Sequence, residues 1–370
     1  MRIGIVLPHF GGNREGGLEH AALAWTRALI ASKAEHSFTV FVKKKNQAPP
    51  IFEGSKWTIK DGGGVFFWRD RIAKSHPDIN IWFFYTPILP FFVRPKISIT
   101  CILDLAYLNF PATSLREYLQ ARILKWLHKR SLQRADGIVA ISHATKNDTI
   151  EKLHIPDKKI KVIHLGVTSR CAVDAKQLQG IPDAPFFFFI GVFKERKNVH
   201  GIVNAFCAFA KNKKNSMHHL VLAGRCEGSY GARIKDMIVA DPLLRARIHI
   251  MRFLNDAELA FCYRHATALV FPSLLEGFGF PVLEAMECGL PVITSSTTSL
   301  GELAGDAALL VDPKKPQEIA DAMDCFASDE SLRNAYQRKG YERVQQFSWD
   351  RAGAELIAYL EVVYQHIQST

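Results

Sequence analysis

The chain contains no C-x-x-C pair, no long apolar run and no low-complexity tract, and acidic side chains are scarce over its first 170 residues. The seven cysteines (Cys101, Cys171, Cys207, Cys226, Cys262, Cys288 and Cys325) are odd in number and widely scattered. That pattern speaks against a disulfide framework or a structural zinc site and reads as buried thiols in a reducing compartment. The most apolar stretch, 79–93, is too short for a bilayer-spanning helix and is broken by Pro87 and Pro90, so no transmembrane segment is expected. The first seven residues are too few for a signal peptide, with no small-residue cleavage site before His9, and the expectation is a cytoplasmic protein. In the first 170 residues 26 Lys and Arg stand against 13 Asp and Glu, a net of +13, whereas the remainder nets −2 within a total of +11. Such asymmetry points to nucleic acid, a membrane surface or an anionic substrate as partner of the first half, although a solvated basic surface fits the charge alone equally well. Nucleic acid is not expected as a partner, because the basic half carries no recognition motif and no strand in which aromatic and basic residues interleave.

What is present is an ordinary globular balance, 48% hydrophobic and 22% charged over 370 residues, enough for two sizeable domains. Short runs rich in Val, Ile and Phe alternate with helix-period segments, the pattern of parallel sheets with crossover helices. The expected strands are 3–7, 38–42, 79–84, 97–103, 137–141 and 161–164 in the first half, then 186–190, 219–223, 248–251, 268–271, 291–294 and 308–311. The fold class is therefore α/β with two doubly wound sheets. We expect domains over 1–170 and 181–348, a polar linker within 168–185 that holds Gly180, Pro182 and Pro185, and a final helix, 349–370, free to pack elsewhere.

Ligands of parallel sheets sit at the carboxyl ends of the strands, where turns expose backbone N–H groups and helix N-termini. Three turns stand out. In 273–291, Pro281 suits a helix start and Gly289 with Pro291 a helix stop, giving a two-turn helix over 281–288 whose N-terminus is an anion site. Gly277 and Gly279 leave its amides open to a diphosphate. Glu276 and Glu284, eight residues apart around that site, are placed to accept hydrogen bonds from sugar or ribose hydroxyls. Spacing alone also fits a solvated Glu276 and a Glu284 that only complements the helix dipole. In 186–199, Asn198 reads as N-cap of a helix with Val199, Ile202, Val203, Phe206 and Phe209 on its apolar face. Arg196 and Lys197 beside that helix start suit the charge of a departing diphosphate, though as a bare pair they also read as two surface cations. In 8–19, the Gly-Gly pair opening a helix reads as a loop able to close over phosphate or sugar, or as a plain mobile turn. It is not a G-x-G-x-x-G fingerprint.

Taken together, Gly16-Gly17-Leu18-Glu19, Glu195-Arg196-Lys197-Asn198, the Phe-Leu-Asn-Asp-Ala-Glu-Leu run at 253–259, the Pro-Ser-Leu-Leu-Glu-Gly-Phe-Gly-Phe-Pro-Val-Leu-Glu-Ala-Met run at 272–286 and Leu309-Leu310-Val311-Asp312-Pro313 resemble a retaining family 4 glycosyltransferase. The resemblance spans nearly the whole chain, and the E-x7-E segment is its most specific part. It implies a GT-B fold, two Rossmann-like domains facing a cleft, with the last helix crossing back to the N-terminal, acceptor-binding domain. It assigns Arg196 and Lys197 to the donor diphosphate, Glu276 to the donor-sugar hydroxyls and Glu284 to the ribose. Backbone amides at Gly279 and Phe280, within the Gly277-Phe278-Gly279-Phe280 turn, hold phosphate and sugar, the Leu254 backbone meets the base, and Gly16 and Gly17 match the glycine loop of the first domain. No metal and no cofactor beyond the nucleotide-sugar donor are implied, the cation pair standing where other transferases place a divalent ion. The pattern looks most like the mannosyltransferases of bacterial surface polysaccharides, which implies GDP-mannose as the first donor, with UDP-sugars open because backbone groups read the base, and a glycan or lipid-linked saccharide acceptor. The chain departs from the family at Leu103, where many members have a His before the Asp that is here Asp104. His9, His143 and His164 are candidates to replace it, and a catalytically idle nucleotide-sugar-binding protein is the alternative. Ser142 matches the family's serine turn and is expected to line the cleft.

The segment 114–134 reads as one helix with Leu115, Tyr118, Leu119, Ile123, Trp126 and Leu127 at helical spacing. Arg116, Arg122, Lys125, Lys129, Arg130 and Arg134 stand there against a single acid, Glu117. This is the pattern of an interfacial helix on anionic lipid, and equally that of a core-packing helix with a basic outer face. With the first domain's charge, it leads us to expect peripheral attachment to the cytoplasmic face of a membrane.

Overall fold

The computed structural model describes residues 1–7, 17–32, 35–43, 57–63, 67–110, 114–177, 180–181, 183–212 and 217–369. It divides into two compact units, Met1–Gly166 with Phe347–Thr370, and Val167–Gln346. The first unit holds a seven-stranded sheet of β1 (Arg2–Val6), β2 (Ser37–Val42), β3 (Trp57–Asp61), β4 (Ile81–Phe84), β5 (Ser98–Ile102), β6 (Gly137–Ala140) and β7 (Ile160–Val162), in the order β3-β2-β1-β4-β5-β6-β7. The second holds β8 (Phe186–Ile190), β9 (His219–Ala223), β10 (Ile248–Met251), β11 (Ala268–Phe271), β12 (Val292–Ser295) and β13 (Leu309–Val311), in the order β10-β9-β8-β11-β12-β13. Every pairing is parallel.

Both sheets are wound in two directions from a central strand. The order reverses between β1 and β4 in the first and between β8 and β11 in the second, so each has one crevice at the carboxyl ends of those strands. The central strands β4, β8 and β11 are continuous apolar runs, as strands buried on both faces require. Phe187, Phe188 and Phe189 on β8 are fully buried, each contributing about 1.5–3 kcal/mol from removal of apolar surface from water.

One strand, β3, was not among those expected. Among the described residues it is an edge strand paired to β2 alone, and its Trp-Thr-Ile-Lys-Asp run has two apolar residues in five, where the central β4 is apolar throughout. The expected linker also differs. The second unit begins at Val167, and the segment after it is fastened to that unit. Arg170 pairs with Asp256 and Glu284, Arg264 donates to the Val173 carbonyl, and the Lys176 amide donates to Ala257 O at 3.1 Å. Cys171 and Cys288 form a disulfide across 117 residues of sequence, with Cα atoms 5.5 Å apart. This corrects the reading of all seven cysteines as buried thiols. Cys101, Cys226 and Cys262 are buried and free, Cys207 is half-buried and Cys325 exposed. Scattered spacing concealed the pair because it is tertiary folding of 169–176 that brings Cys171 to the end of a distant helix.

The last helix, Trp349–Gln368, packs in the first unit against the helix Gly17–Ala31. Gly353 permits the approach, since a Cβ there would lie 2.9 Å from the Ala28 backbone. The Trp25 indole N–H donates to Ala352 O at 2.9 Å, and the Tyr359 hydroxyl to Lys159 O at 3.2 Å.

Candidate active site

The loops after β8 and β11 flank the crevice of the second sheet, and the sequence places its charged residues in those two loops. After β8 the chain makes a turn of 3-10 helix, Glu195–Lys197, and enters the helix Val199–Ala210, whose expected apolar face is buried. Asn198 does not cap it through its side chain. Its backbone is left-handed (φ 56°), and its side-chain amide donates to Pro313 O at 2.6 Å and Pro272 O at 3.1 Å. The residue instead ties the cation turn to the loops that follow β11 and β13.

That turn is coupled to the next one through its backbone, Leu274 N donating to Arg196 O at 2.8 Å. The side chains follow. Glu276, only 9% exposed, meets Lys197 Nζ at 2.5 Å through Oε1 and Arg196 Nη1 at 2.9 Å through Oε2. Burial alone would raise the Glu276 carboxyl, but Lys197 and then Arg196 outweigh it and hold the group below the usual carboxylate range. The Lys197 ammonium also lies over the Phe271 ring, 4.6 Å from its centre, which fixes its stem against β11.

The helix that follows spans Phe280–Glu287, one residue earlier than Pro281 suggested, so that Pro281 takes the second position, where its missing N–H is also without cost. Gly279 enters it with φ 132°, a backbone that other residues rarely adopt. Ser299 Oγ donates to the Glu276 and Phe278 carbonyls at 2.9 and 2.6 Å, holding the Glu276-Gly277-Phe278 turn open from the next helix. Gly289 (φ 71°) ends the helix as its sequence position indicated.

Glu284 is buried within this helix and lies between two partners that sequence reading missed. The fully buried Tyr263 hydroxyl donates to Oε2 at 2.8 Å and Arg170 Nε to Oε1 at 3.2 Å. Burial, and then the Glu284 carboxylate, push the Tyr263 hydroxyl far above its usual value, so it stays a donor. Arg170 reaches on to Asp256 at 3.0 Å, at the start of the helix Asp256–His265. Asn255 caps that helix, and Leu254 is the residue before. The second unit thus brings Arg196, Lys197, Glu276, the 277–280 turn and Glu284 to one side of its sheet, with Leu254 on the loop after β10.

Asp104 and Ser142 belong to the first unit, where the loops after β5 and β6 meet. Asp104 accepts from the Ala106 amide at 3.0 Å, Ser142 caps the helix His143–Leu153, and Thr145 Oγ1 donates to the Leu103 carbonyl at 3.1 Å. The His143 ring lies 6.0 Å from that of His164, so these two of the three histidines considered as replacements are neighbours beside Ser142. Gly16 and His9 lie outside the described residues, and Gly17 starts the helix Gly17–Ala31.

The comparisons with known proteins agree with this architecture. Residues 15–169 match the family model "Glycosyltransferase Family 4" and residues 174–343 the model "Glycosyl transferases group 1". The chain is 28% identical over 241 residues to the O-antigen chain mannosyltransferase B of Escherichia coli, covering 63% of this chain and 62% of that protein. It is 29% identical over 222 residues to the O-antigen chain mannosyltransferase RfbU of Salmonella typhimurium, covering 56% and 59%. Both matches span less than two thirds of the relative's length. Among solved structures, sucrose-phosphate synthase from Thermosynechococcus elongatus superposes with a TM-score of 0.72 at 19% identity over all of both chains. Anabaena HepE in complex with UDP does so with a TM-score of 0.73 at 16% identity, over 98% of this chain and 100% of that one. At such identities the likeness is one of fold. Matched over both units, the chain belongs to the family 4 glycosyltransferases of GT-B fold, with a group 1 domain as its second unit.

Proposed function

We propose that the protein transfers a hexose, mannose from GDP-mannose in the first instance, to a glycan or lipid-linked saccharide in surface polysaccharide synthesis, with retention of configuration. The observation that carries this reading is the pairing of Glu276 with Arg196 and Lys197 at the start of the helix that presents Glu284. A nucleoside diphosphate sugar meets each of these groups with complementary chemistry. Its ribose hydroxyls donate to Glu284, its phosphates face the two cations and the 277–280 amides, and its sugar hydroxyls donate to Glu276. In the reaction the acceptor hydroxyl attacks the anomeric carbon on the face from which the diphosphate leaves. The new C–O bond forms as the old one breaks, the acceptor's proton passes to the departing phosphate, and Arg196 and Lys197 stabilise the charge gathering there. On this reading no divalent ion is needed, because the cations at the leaving group are side chains. Asp104 would sit with the acceptor. The names of the mannosyltransferase relatives favour mannose as the sugar, whereas the HepE complexes contain UDP and UDP-glucose, which keeps uridine donors in the test.

One observation favours a second reading. Leu103, where the family resemblance implies a histidine, cannot hydrogen-bond a sugar through its side chain, and a protein that binds nucleotide sugars without turning them over fits that departure. A thermal-shift panel of nucleotide sugars, followed by donor hydrolysis, separates the readings. Only ligands that bind the folded state raise the melting temperature. A shift with GDP-mannose and GDP release supports the enzyme, a shift without release supports the binding protein, and no shift with any nucleotide sugar rejects both.

We also place the protein peripherally on the cytoplasmic face of a membrane, through the helix Leu115–Arg134. Among the described residues no helix is long and apolar enough to cross a bilayer. The apolar stripe of Leu115–Arg134 does not face the core. Leu115 (74%), Ile123 (60%) and Trp126 (54%) are exposed, and the helix is held by His128, Ser131 and Leu132 near its other end. Sedimentation with anionic vesicles at low ionic strength, and release near 1 M salt where the screening length falls to about 3 Å, is the expected behaviour.

A further inference from the structure

Beside the exposed stripe of the 115–134 helix is a cavity of about 160 Å³ that the reading above does not use. It is lined by residues 67–70 at the start of the helix Trp68–Ser75, by Ile88, Leu89 and Phe91 after β4, and by Leu127, Arg130 and Ser131. Its rim is aromatic. Phe67, Phe91 and Phe92 lie with ring centres 4.9–6.2 Å apart, and Phe91 lies 6.2 Å from Trp126. Phe92 is 70% exposed and Phe67 55%, so the rim continues the apolar stripe outward.

The polar groups in and around this cavity are mostly guanidiniums. Arg69 Nε is buried without a hydrogen-bond partner, while its Nη2 reaches Thr86 Oγ1 at 3.3 Å. Arg130 lies 4.0 Å over the Phe91 ring and donates to Phe91 O, and Arg134 donates to Pro90 O and Phe91 O. The acid among them is Asp70, and its carboxylate is committed to the backbone, accepting from the Phe91, Phe92 and Val93 amides at 2.5–2.9 Å. Burial lowers the Arg69 guanidinium to about 10 against a partial offset from Asp70. Burial, then Arg130 and Arg94, lower that of Arg134. Arg130 and Arg94 thus weaken the charged state of Arg134, and an anion beside them would relieve that repulsion, while at Arg69 it would satisfy the orphaned donor.

We infer that this cavity receives the phosphate group of an anionic lipid, held by Arg69 and Arg130, while the lipid's chains lie over Phe92, Trp126 and Ile123. The argument for a lipid rather than a free phosphate is the continuity of the cavity with an exposed aromatic and aliphatic row, which a soluble anion would leave in water. This deepens the membrane reading and rests on it.

The test uses the whole chain and vesicles of phosphatidylcholine made anionic either with phosphatidic acid or, at matched surface charge, with oleate. The wild type should bind the phosphate-bearing vesicles more tightly than the carboxylate-bearing ones. Arg69→Gln should weaken phosphatidic acid binding about tenfold, the size expected for one charge-assisted contact, and Lys125→Gln, an equal loss of charge outside the cavity, by much less. Phe92→Ser, at a solvent-exposed position, should also weaken binding and guards against a folding defect in the Arg69 variant. Equal losses from Arg69→Gln and Lys125→Gln, or equal affinity for both vesicles, would overturn the phosphate site while leaving membrane attachment standing. Failure of the wild type to sediment with either vesicle would instead remove the membrane reading itself. Inorganic phosphate should compete only weakly, and full release by phosphate at unchanged ionic strength would assign the cavity to a soluble anion and overturn the lipid.

Discussion

Replacing Glu276 with glutamine perturbs the ion-pair cluster with little change of shape. In the free protein its single negative charge is shared between Lys197 and Arg196, whose side chains are 12% and 28% exposed. Glutamine leaves both cations facing one neutral carbonyl oxygen. Removing one partner of a buried ion pair costs about 3–5 kcal/mol, and the partial exposure of Arg196 places this case near 3. In a unit the size of Val167–Gln346, each kcal/mol moves the melting temperature by about 2–4 °C, so a fall of about 6–12 °C is expected. A nucleoside diphosphate should restore much of it, since its phosphates supply the negative charge the cations have lost. The wild type, already partly neutralised, should gain less. Scanning calorimetry of both proteins with and without GDP measures these four values. A variant melting within about 2 °C of the wild type, or gaining no more from GDP than the wild type does, refutes the cluster as the diphosphate site.

The same carboxyl sets a pH dependence. Because its folded value is lowered, its contribution is fully present above the ordinary value of 4.5 and is lost as pH falls through the depressed one. Acid titration of stability should therefore be steeper below that pH in the wild type than in Glu276→Gln, and parallel curves would contradict the assignment. Glu284→Gln should weaken nucleotide binding by about 1.5–3 kcal/mol in calorimetric titrations, with the fold retained. Replacing Arg196 or Lys197 with Ala should lower kcat more than it raises KM, with EDTA making little difference, and a pure KM effect would argue against leaving-group stabilisation. Denatured without reductant, the protein should show five titratable thiols, the number of free cysteines, and seven would contradict the Cys171 to Cys288 bond.

The elements legible in the sequence are those whose signal is local. Phe186–Ile190 reads as a buried strand because four consecutive phenylalanines and an isoleucine have no polar face. Phe280–Glu287 reads as a helix because proline and glycine mark its two ends. β3 escaped because an edge strand needs only one apolar side. The role of Asn198 was misread because its type fits an N-cap, and only the approach of Pro272 and Pro313, 74 and 115 residues away, redirects its amide. Spacing and family resemblance single out Glu276 and Glu284 as candidates. They do not single out the partners of Glu284, since Tyr263 and Arg170 reach it across 21 and 114 residues with no motif of their own. Patterning also left open whether the stripe on Leu115–Arg134 faces core or solvent, and burial of its His128, Ser131 and Leu132 side decides for solvent.

The central claim is nucleotide-sugar chemistry with retention at the Glu276 and Glu284 site, and the most direct measurement is proton NMR of the protein turning over GDP-α-mannose. Release of GDP with α-mannose, or an α-mannoside, as the first-formed sugar, abolished in the Lys197→Ala variant, is the predicted result. A β-configured first product, or no release from any GDP- or UDP-sugar, would contradict it.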